Sequence, residues 1–496
     1  MNNLYVKTPE SISLRTIEEK NCTLSSSQYM DLIIPNKNYK FVRDFLCRPL
    51  KRNDLGNEIG SINYISQSLY YFIRTKALQS HSYIPDISPE TALPIIPKSF
   101  ISQQLREGDI LISKDSNIGE IVILEKDYSD YMLSGALYKL PVSEYKYYLL
   151  AFVKHPIFRE QLDFMVPKGA TIRHAKTMFL DCKIPMPNKN TEKTIKYIEL
   201  LTRAIINKEK SIKEKHRLIL EKITKELKQN QKPEPFEFDF PTISEVEASS
   251  RLDTGIYSKQ FKEIDFLIKN YKRGHFFLDE ECLKSGNTPE TRYIGNINEL
   301  KYRWVTPTHC TDNGLIFVDE GINLNRKNNI NKDCILFINR TSKGGGGEFV
   351  GIAAYYNFTD FKAGHHNQGI YRFYDKDKTK MLFVLCMMNC DLMRKYCGAL
   401  SVGSKMKELK MEHFLQIPFP NFSEEKQKEI VKLYYNNSIE YKSANWNLDN
   451  FITNDNEFNK TAGIYEQDKT LKHLQAKLNQ AIDDIINDSR VDITFE

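Results

Sequence analysis

The apolar and polar positions of the chain alternate between β-type runs and helical spacing. Apolar runs at Asp109-Ile-Leu-Ile-Ser113 and Ile121-Val-Ile-Leu124 predict two strands joined by the polar turn Lys114–Gly119. Helical spacing follows over 147–164. From 191 to 230 Pro and Gly vanish, and Ile198, Ile205, Ile212 and Ile219 recur at every seventh position. That pattern predicts one amphipathic helix with a coiled-coil seam, about 57 Å long at ~1.5 Å per residue. The seam is imperfect, because Lys208, Lys215 and Lys222 occupy its companion positions. Three prolines in 231–241 end the helix and mark a linker. Beyond it the pattern predicts a helix over 257–271, a strand Cys334–Ile338, a Gly-rich turn Ser342–Glu348 and a helix over 381–397. Ser423 followed by Glu424 and Glu425 predicts a further helix start. The Asn-rich stretch 436–459 reads as loop. Finally, Leu471, Leu474, Leu478, Ala481 and Ile485 form a 3-4-3-4 seam, expected to pair with the first long helix.

These elements come in the same order twice. Val166–Asn188 reads VPKGATIRHAKTMFLDCKIPMPN, and Leu400–Asn421 reads LSVGSKMKELKMEHFLQIPFPN. In each, an apolar helix leads to a Gly-basic turn, then Phe-Leu, then Ile-Pro-x-Pro-Asn, then an amphipathic helix. The period is far longer than that of a solenoid repeat. It predicts a tandem duplication of a whole domain plus helix: a first unit 1–188, a helical spacer 189–230, a linker 231–241, a second unit 242–421 and a second helical region 422–496 carrying the loop 436–459. The fold class expected is α+β, with two tandem mixed α/β domains separated by long helices that pair as an antiparallel coiled coil. The prolines of Ile-Pro-x-Pro-Asn are expected to stop a β-type run and launch the helix at a set angle.

Composition narrows the chemistry. A net charge of +6 and a pI near 8.6 are a mild basic excess, compatible with a polyanionic partner. Nine cysteines with no C-x-x-C spacing read as buried, reduced thiols of a cytoplasmic protein. The N-terminal segment has no signal-peptide form and no apolar run reaches membrane length, so no membrane is expected. There is no Asn/Asp-Pro-Pro-aromatic motif of an amino-methyltransferase, no Gly-Lys dipeptide for a P-loop and no H-E-x-x-H. His365-His366 lack a third ligand at useful spacing, so no metal site is assigned. Asp130 with Glu144-Tyr-Lys146 could be forced into a nuclease motif, but carboxylate-x-Lys recurs by chance in a Lys-rich chain. No catalytic residues are assigned, and a stand-alone nuclease or methyltransferase is the alternative reading.

A duplicated module suits a reader of two DNA half-sites whose separation the protein sets. Because the two copies differ in sequence, the half-sites should differ. Gly in a turn lets backbone approach closely, while Arg and Lys reach base edges or phosphates and hydroxyls and amides make shorter contacts. The DNA-contact candidates in the first unit are Lys114, Ser116, Asn117, Lys168, Thr171, Arg173 and His174. In the second they are Arg340, Thr341, Ser342, Lys343, His365, His366, Asn367, Gln368, Ser404, Lys405 and Lys407.

The motifs and their order resemble the specificity subunit of type I restriction-modification systems. The resemblance is carried by the Asp109-Ile-Leu-Ile-Ser113 strand, by Gly169-Ala-Thr with Ile184-Pro-Met-Pro187, and by their second-copy counterparts. Arg251-Leu-Asp-Thr-Gly-Ile-Tyr257, Ser285-Gly-Asn-Thr-Pro289 and Pro420-Asn-Phe-Ser-Glu-Glu-Lys-Gln-Lys-Glu-Ile-Val431 add to it. The first unit shows no Ser-Gly-x-Thr-Pro element, and the 436–459 stretch splits the second helical region. The resemblance implies two target recognition domains, each reading half of a gapped double-stranded DNA site. It also implies helical regions that dock two adenine-N6 methyltransferase (modification) subunits, joined by ATP-driven restriction subunits. The chain itself would be non-catalytic and bind no cofactor; S-adenosylmethionine, ATP and Mg would sit on the partners. A DNA-reading adaptor of another phage-defence methylation system is a variant of the same reading.

Overall fold

The computed structural model describes residues 5–23, 26–166, 176–290, 294–323, 329–341 and 349–496. The chain divides into two compact units: 1–211 with 440–460 and 469–496, and 212–439 with 461–468. Mixed sheets and helices in both accord with the expected α+β class.

In the first unit, the apolar run at 110–113 becomes the central strand Ile110–Ser113. It pairs antiparallel with Ile121–Ile123 on one side and Leu137–Leu140 on the other. A second three-stranded sheet holds Tyr70–Ile73 between Ala92–Ile95, antiparallel, and Tyr131–Leu133, parallel. Ile73, Leu111, Val122, Leu133 and Leu137 join the two sheets in one buried core. The helical stretch expected over 147–164 is two helices, Lys146–Lys154 and Pro156–Met165. Pro156 forces the break: it has no N–H and pushes His155 to extended backbone, φ −72° and ψ 147°.

The second unit repeats this plan. Cys334–Ile338, buried throughout, lies between Ala353–Tyr356 and Ile370–Phe373, with Leu283–Ser285 at the edge. Tyr302–Val305 pairs in parallel with Gly364–His366, as Tyr70–Ile73 does with Tyr131–Leu133. The helix Lys378–Met388 is buried on every side from Met381 onward and packs on this sheet. The stretch expected over 381–397 again splits, here between Met388 and Asp391. The Asn389 amide fills the break, accepting from Ala353 N at 2.9 Å and donating to Ala353 O at 2.8 Å.

The Ile-Pro-x-Pro-Asn passages do the same job in both units. Lys183–Pro185 pairs with Tyr39–Phe41 before the chain enters the helix Thr191–Gln229. Phe419–Pro420 pairs with His275–Phe276 before the helix Glu424–Tyr434, whose N-cap Ser423 Oγ accepts from Lys426 N.

The heptad positions Ile198 and Ile205 are buried in the first unit, as are Leu471, Leu474, Leu478 and Ile485 of the helix Ile464–Ile486. Ile212 and Ile219 are buried in the second. The Asn-rich stretch is not all loop: Phe451–Thr461 is a helix. Lys196, Asn207 and Lys208 bond in turn to Asp449, Asn456 and Asn459, so this helix runs parallel to the spacer. The following helix returns antiparallel, and Asn188 at the spacer's start bonds Asp488 just past its end.

The imperfect seam is matched by charge. Lys208 is fully buried and meets Asp455 Oδ1 at 2.8 Å. Within the second unit, Lys215 faces the charge of Glu466 and Lys222 pairs with Glu429. Each heptad lysine therefore finds an acid on a different C-terminal helix. All nine cysteines are unpaired, but Cys22 and Cys47 are exposed and Cys282 is half-buried, rather than buried as expected. Among the described residues no helix is long and apolar enough to cross a membrane.

Candidate nucleic-acid interface

Each unit carries a junction that brings distant turns together. In the second, Gly286-Asn287 lies parallel to the turn after Gly364–His366. Asn287 N donates to His366 O at 2.9 Å, and Gln368 N donates back to Asn287 O at 2.9 Å. A Cβ on Gly286 would stand 2.1 Å from Asn367 O, so no other residue fits without moving backbone. In the first unit Gly56-Asn57 does the same against Ser134. Asn57 N donates to Leu133 O at 2.9 Å, and a Cβ on Gly56 would lie 2.0 Å from Ser134 O. The element that the first unit lacks by motif is thus present by geometry. A shared Gly-Asn dipeptide was its only signal in the sequence.

Around this junction the second unit gathers three candidate turns. Arg340–Thr341 pairs antiparallel with Lys407–Glu408, and Arg340 Nη2 meets Glu408 Oε1 at 2.7 Å. The Val402–Glu408 bridge closes a turn that exposes Ser404 and Lys405, with Lys407 half-buried at its edge. Gly403 there has φ +101°, and a Cβ would stand 2.2 Å from Met406 O. Asn339, one residue before Arg340, bonds the 367–369 turn through N to Gly369 O and Nδ2 to Gln368 O. Gln368 is exposed and Asn367 is half-buried. Arg340, Thr341, Asn367, Gln368, Ser404, Lys405 and Lys407 therefore belong to one region, although the sequence scatters them.

His365 and His366 depart from the expectation of a DNA-facing turn. They lie in the strand Gly364–His366, 2% and 0% exposed. By register they stand where the first unit has Met132 and Leu133: Trp304 and Val305 face them as Phe72 and Ile73 face those residues. His366 Nδ1 bonds Ile370 O at 3.2 Å. Burial, aided by the Arg372 cation, pushes His366 down to about 3 and keeps the ring neutral.

In the first unit the turn after Ile110–Ser113 presents Ser116 and Asn117 to solvent. Ser116 adopts φ +61°. Gly119 closes the turn at φ +78°, where a Cβ would stand 2.3 Å from Leu162 Cδ1. Lys114 is half-buried and its Nζ is held by Asp115 Oδ2 at 2.5 Å, which lowers its availability to an incoming phosphate. Lys168, Thr171, Arg173, His174, Ser342 and Lys343 lie outside the described residues.

The fold thus defines a tandem pair of α+β domains, each leading into its own helical region. Residues 276–435 match the family profile described as the type I restriction modification DNA specificity domain. The resemblance read from the motifs is borne out over that segment. Similar solved structures include the S subunit of a type I restriction-modification system from M. genitalium. It is 11% identical, with 90% of this chain and 95% of that chain covered and a TM-score of 0.41. A structure described as underlying complex assembly and conformational transition of the type I R-M system is 13% identical, covering 91% and 98%, with a TM-score of 0.28. The HsdS subunit from Thermoanaerobacter tengcongensis is 12% identical, covering 91% and 96%, with a TM-score of 0.26. No curated protein matches the chain.

Proposed function

We propose that this chain is the specificity subunit of a type I restriction-modification system. It reads a bipartite, gapped, asymmetric DNA site and directs an adenine-N6 methyltransferase and ATP-dependent restriction subunits to it. The observation that carries the reading is the duplicated junction. Gly56-Asn57 and Gly286-Asn287 make the same backbone pairings, while the turns beside them differ in sequence. Equivalent places with different side chains are what two unlike half-sites require. The exposed hydroxyl, amide and basic groups at 116–117, 368 and 404–405 fit contact with base edges and phosphates. Catalysis and its cofactors, S-adenosylmethionine, ATP and Mg, belong in this reading to the partners, in the cytoplasm.

Methylation mapping of the host genome with and without the gene tests this. The expected result is one bipartite adenine motif that loses its methylation when the gene is removed. An unchanged methylation map, or methyl transfer by the purified chain alone, overturns it. Binding to the mapped site should also fall steeply as salt rises, because basic turns release counterions from the duplex.

A further inference from the structure

Among the ties between the first recognition domain and the spacer helix, which include Lys210 on Glu107 at 2.6 Å, one carboxyl group gathers several donors. Glu209 accepts from Ser82 Oγ at 3.0 Å, from Tyr83 N at 2.9 Å and from Ile84 N at 3.2 Å. Three donors from three consecutive residues converge on one side chain and fix both position and direction. Nearby Lys154 lies within electrostatic reach of Glu209 and donates to Gln79 O at 2.6 Å. Lys154 also meets Glu120 Oε2 at 3.5 Å, and Glu120 pairs with Arg159. Glu120 directly follows the candidate contact turn 114–119, and Arg159 also bonds Ile118 O in that turn. A chain of polar contacts therefore runs from the turn, through Glu120 and Lys154, to Glu209 on the helix.

The second unit tethers the equivalent loop in another way. Tyr83 O accepts from Ile123 N, and Gly314 O accepts from Tyr355 N, at matching places in the two sheets. Gly314 O is then capped by the buried Tyr434 Oη, at 2.7 Å, from the helix Glu424–Tyr434. The same loop is thus bound to its own helical region in both copies, by a carboxyl group on amides in one and by a phenol on a carbonyl in the other. A tether kept in place while its chemistry changes points to a requirement of position.

We infer that Glu209 in the first unit and Tyr434 in the second are positioning residues: they fix each recognition domain on its helix and so set the DNA gap the protein accepts. The inference rests on the reading of the chain as a bipartite DNA reader. The test uses the full chain with its methyltransferase partner and duplexes of the mapped site, with the gap native, one base pair longer or one shorter. Glu209→Ala, Glu209→Gln and Tyr434→Phe are compared with the unaltered protein.

The unaltered complex should prefer the native gap, and a complex without any gap preference defeats the bipartite reading itself. Glu209→Ala and Tyr434→Phe should each lower the native-to-altered preference by about tenfold, the scale of one or two hydrogen bonds. Binding to each isolated half-site should change far less. Glu209→Gln keeps an acceptor for the amides and should restore part of the preference. Tyr434→Phe removes only a hydroxyl, so it reports even if Glu209→Ala folds poorly. Full gap preference in both Glu209→Ala and Tyr434→Phe overturns the inference while leaving the function intact. An equal loss at every gap and half-site also overturns it, because that marks general destabilisation.

Discussion

His366 shows how residue chemistry and residue role can part. Its type and its polar neighbours suit a DNA contact, yet it occupies a core position that the first unit fills with Leu133. The ring is held neutral, with its folded pKa near 3, below the unfolded value of about 6.5. The unfolded chain therefore takes up the proton first as pH falls. The stability tied to neutral His366 is complete above pH ~6.5 and is lost progressively from there down towards pH ~3. His366→Leu should fold. Near pH 7.5 it should lose about 1 kcal/mol, since Ile370 O loses its donor. The variant should also lose less stability than the unaltered chain between pH 6.5 and 5. Urea denaturation at the three pH values checks both points. Site-specific DNA binding by this variant at pH 7.5 should match the unaltered chain; lost binding with an intact fold would return His366 to the interface.

At the scale of the element, the spacer helix depends on a charge that its own pattern makes look misplaced. Lys208 is closed off from solvent between Asp455 and Asn459, with its ammonium about 5 Å from the Tyr441 and Phe458 rings. Asp455 is further held by Tyr441 Oη at 2.8 Å and Asn459 Nδ2 at 3.0 Å. Removing one member of a buried pair strands the other, which costs about 3–5 kcal/mol, whereas replacing both by apolar groups is often close to neutral. Lys208→Met should therefore destabilise strongly. Lys208→Met with Asp455→Leu should recover most of the loss in chemical denaturation. Equal destabilisation by the single and double variants would show that Asp455 is not the counter-charge that matters. The same helix explains why 451–461 looked like loop: its Asn and Asp residues are poor helix formers, held helical by tertiary contacts that include the Lys208 pair.

For the whole molecule, the proposal makes the two units separately exchangeable readers. Replacing 276–421 with the corresponding part of another specificity domain should change one half of the methylated motif and leave the other half and the gap as they were. Inserting one heptad between Ile198 and Ile219 should leave both half-site sequences alone but alter the accepted gap, or abolish folding. Methylation mapping of each variant decides. An unchanged motif in the exchange, or an unchanged gap in a folded insertion variant, contradicts the modular reading.

Local pattern was enough for what local physics decides. The seven-residue recurrence of isoleucine fixes one face of a helix, so Thr191–Gln229 was legible to within a residue. Likewise, Pro-x-Pro-Asn after a short apolar run marks a strand that must end, and both copies obey it. Duplication was legible because the same local order is written twice. Long-range pairing decided the rest. No spacing rule says that Gly56-Asn57 lies against Ser134, that Lys208 meets Asp455, or that Arg340 meets Glu408. These contacts close over tens to hundreds of residues, and which strand face is covered depends on all of them together. The sequence by itself determined the elements and their repetition; the tertiary structure decided which polar residues are left to meet a ligand, because burial belongs to the packed chain and not to any segment of it.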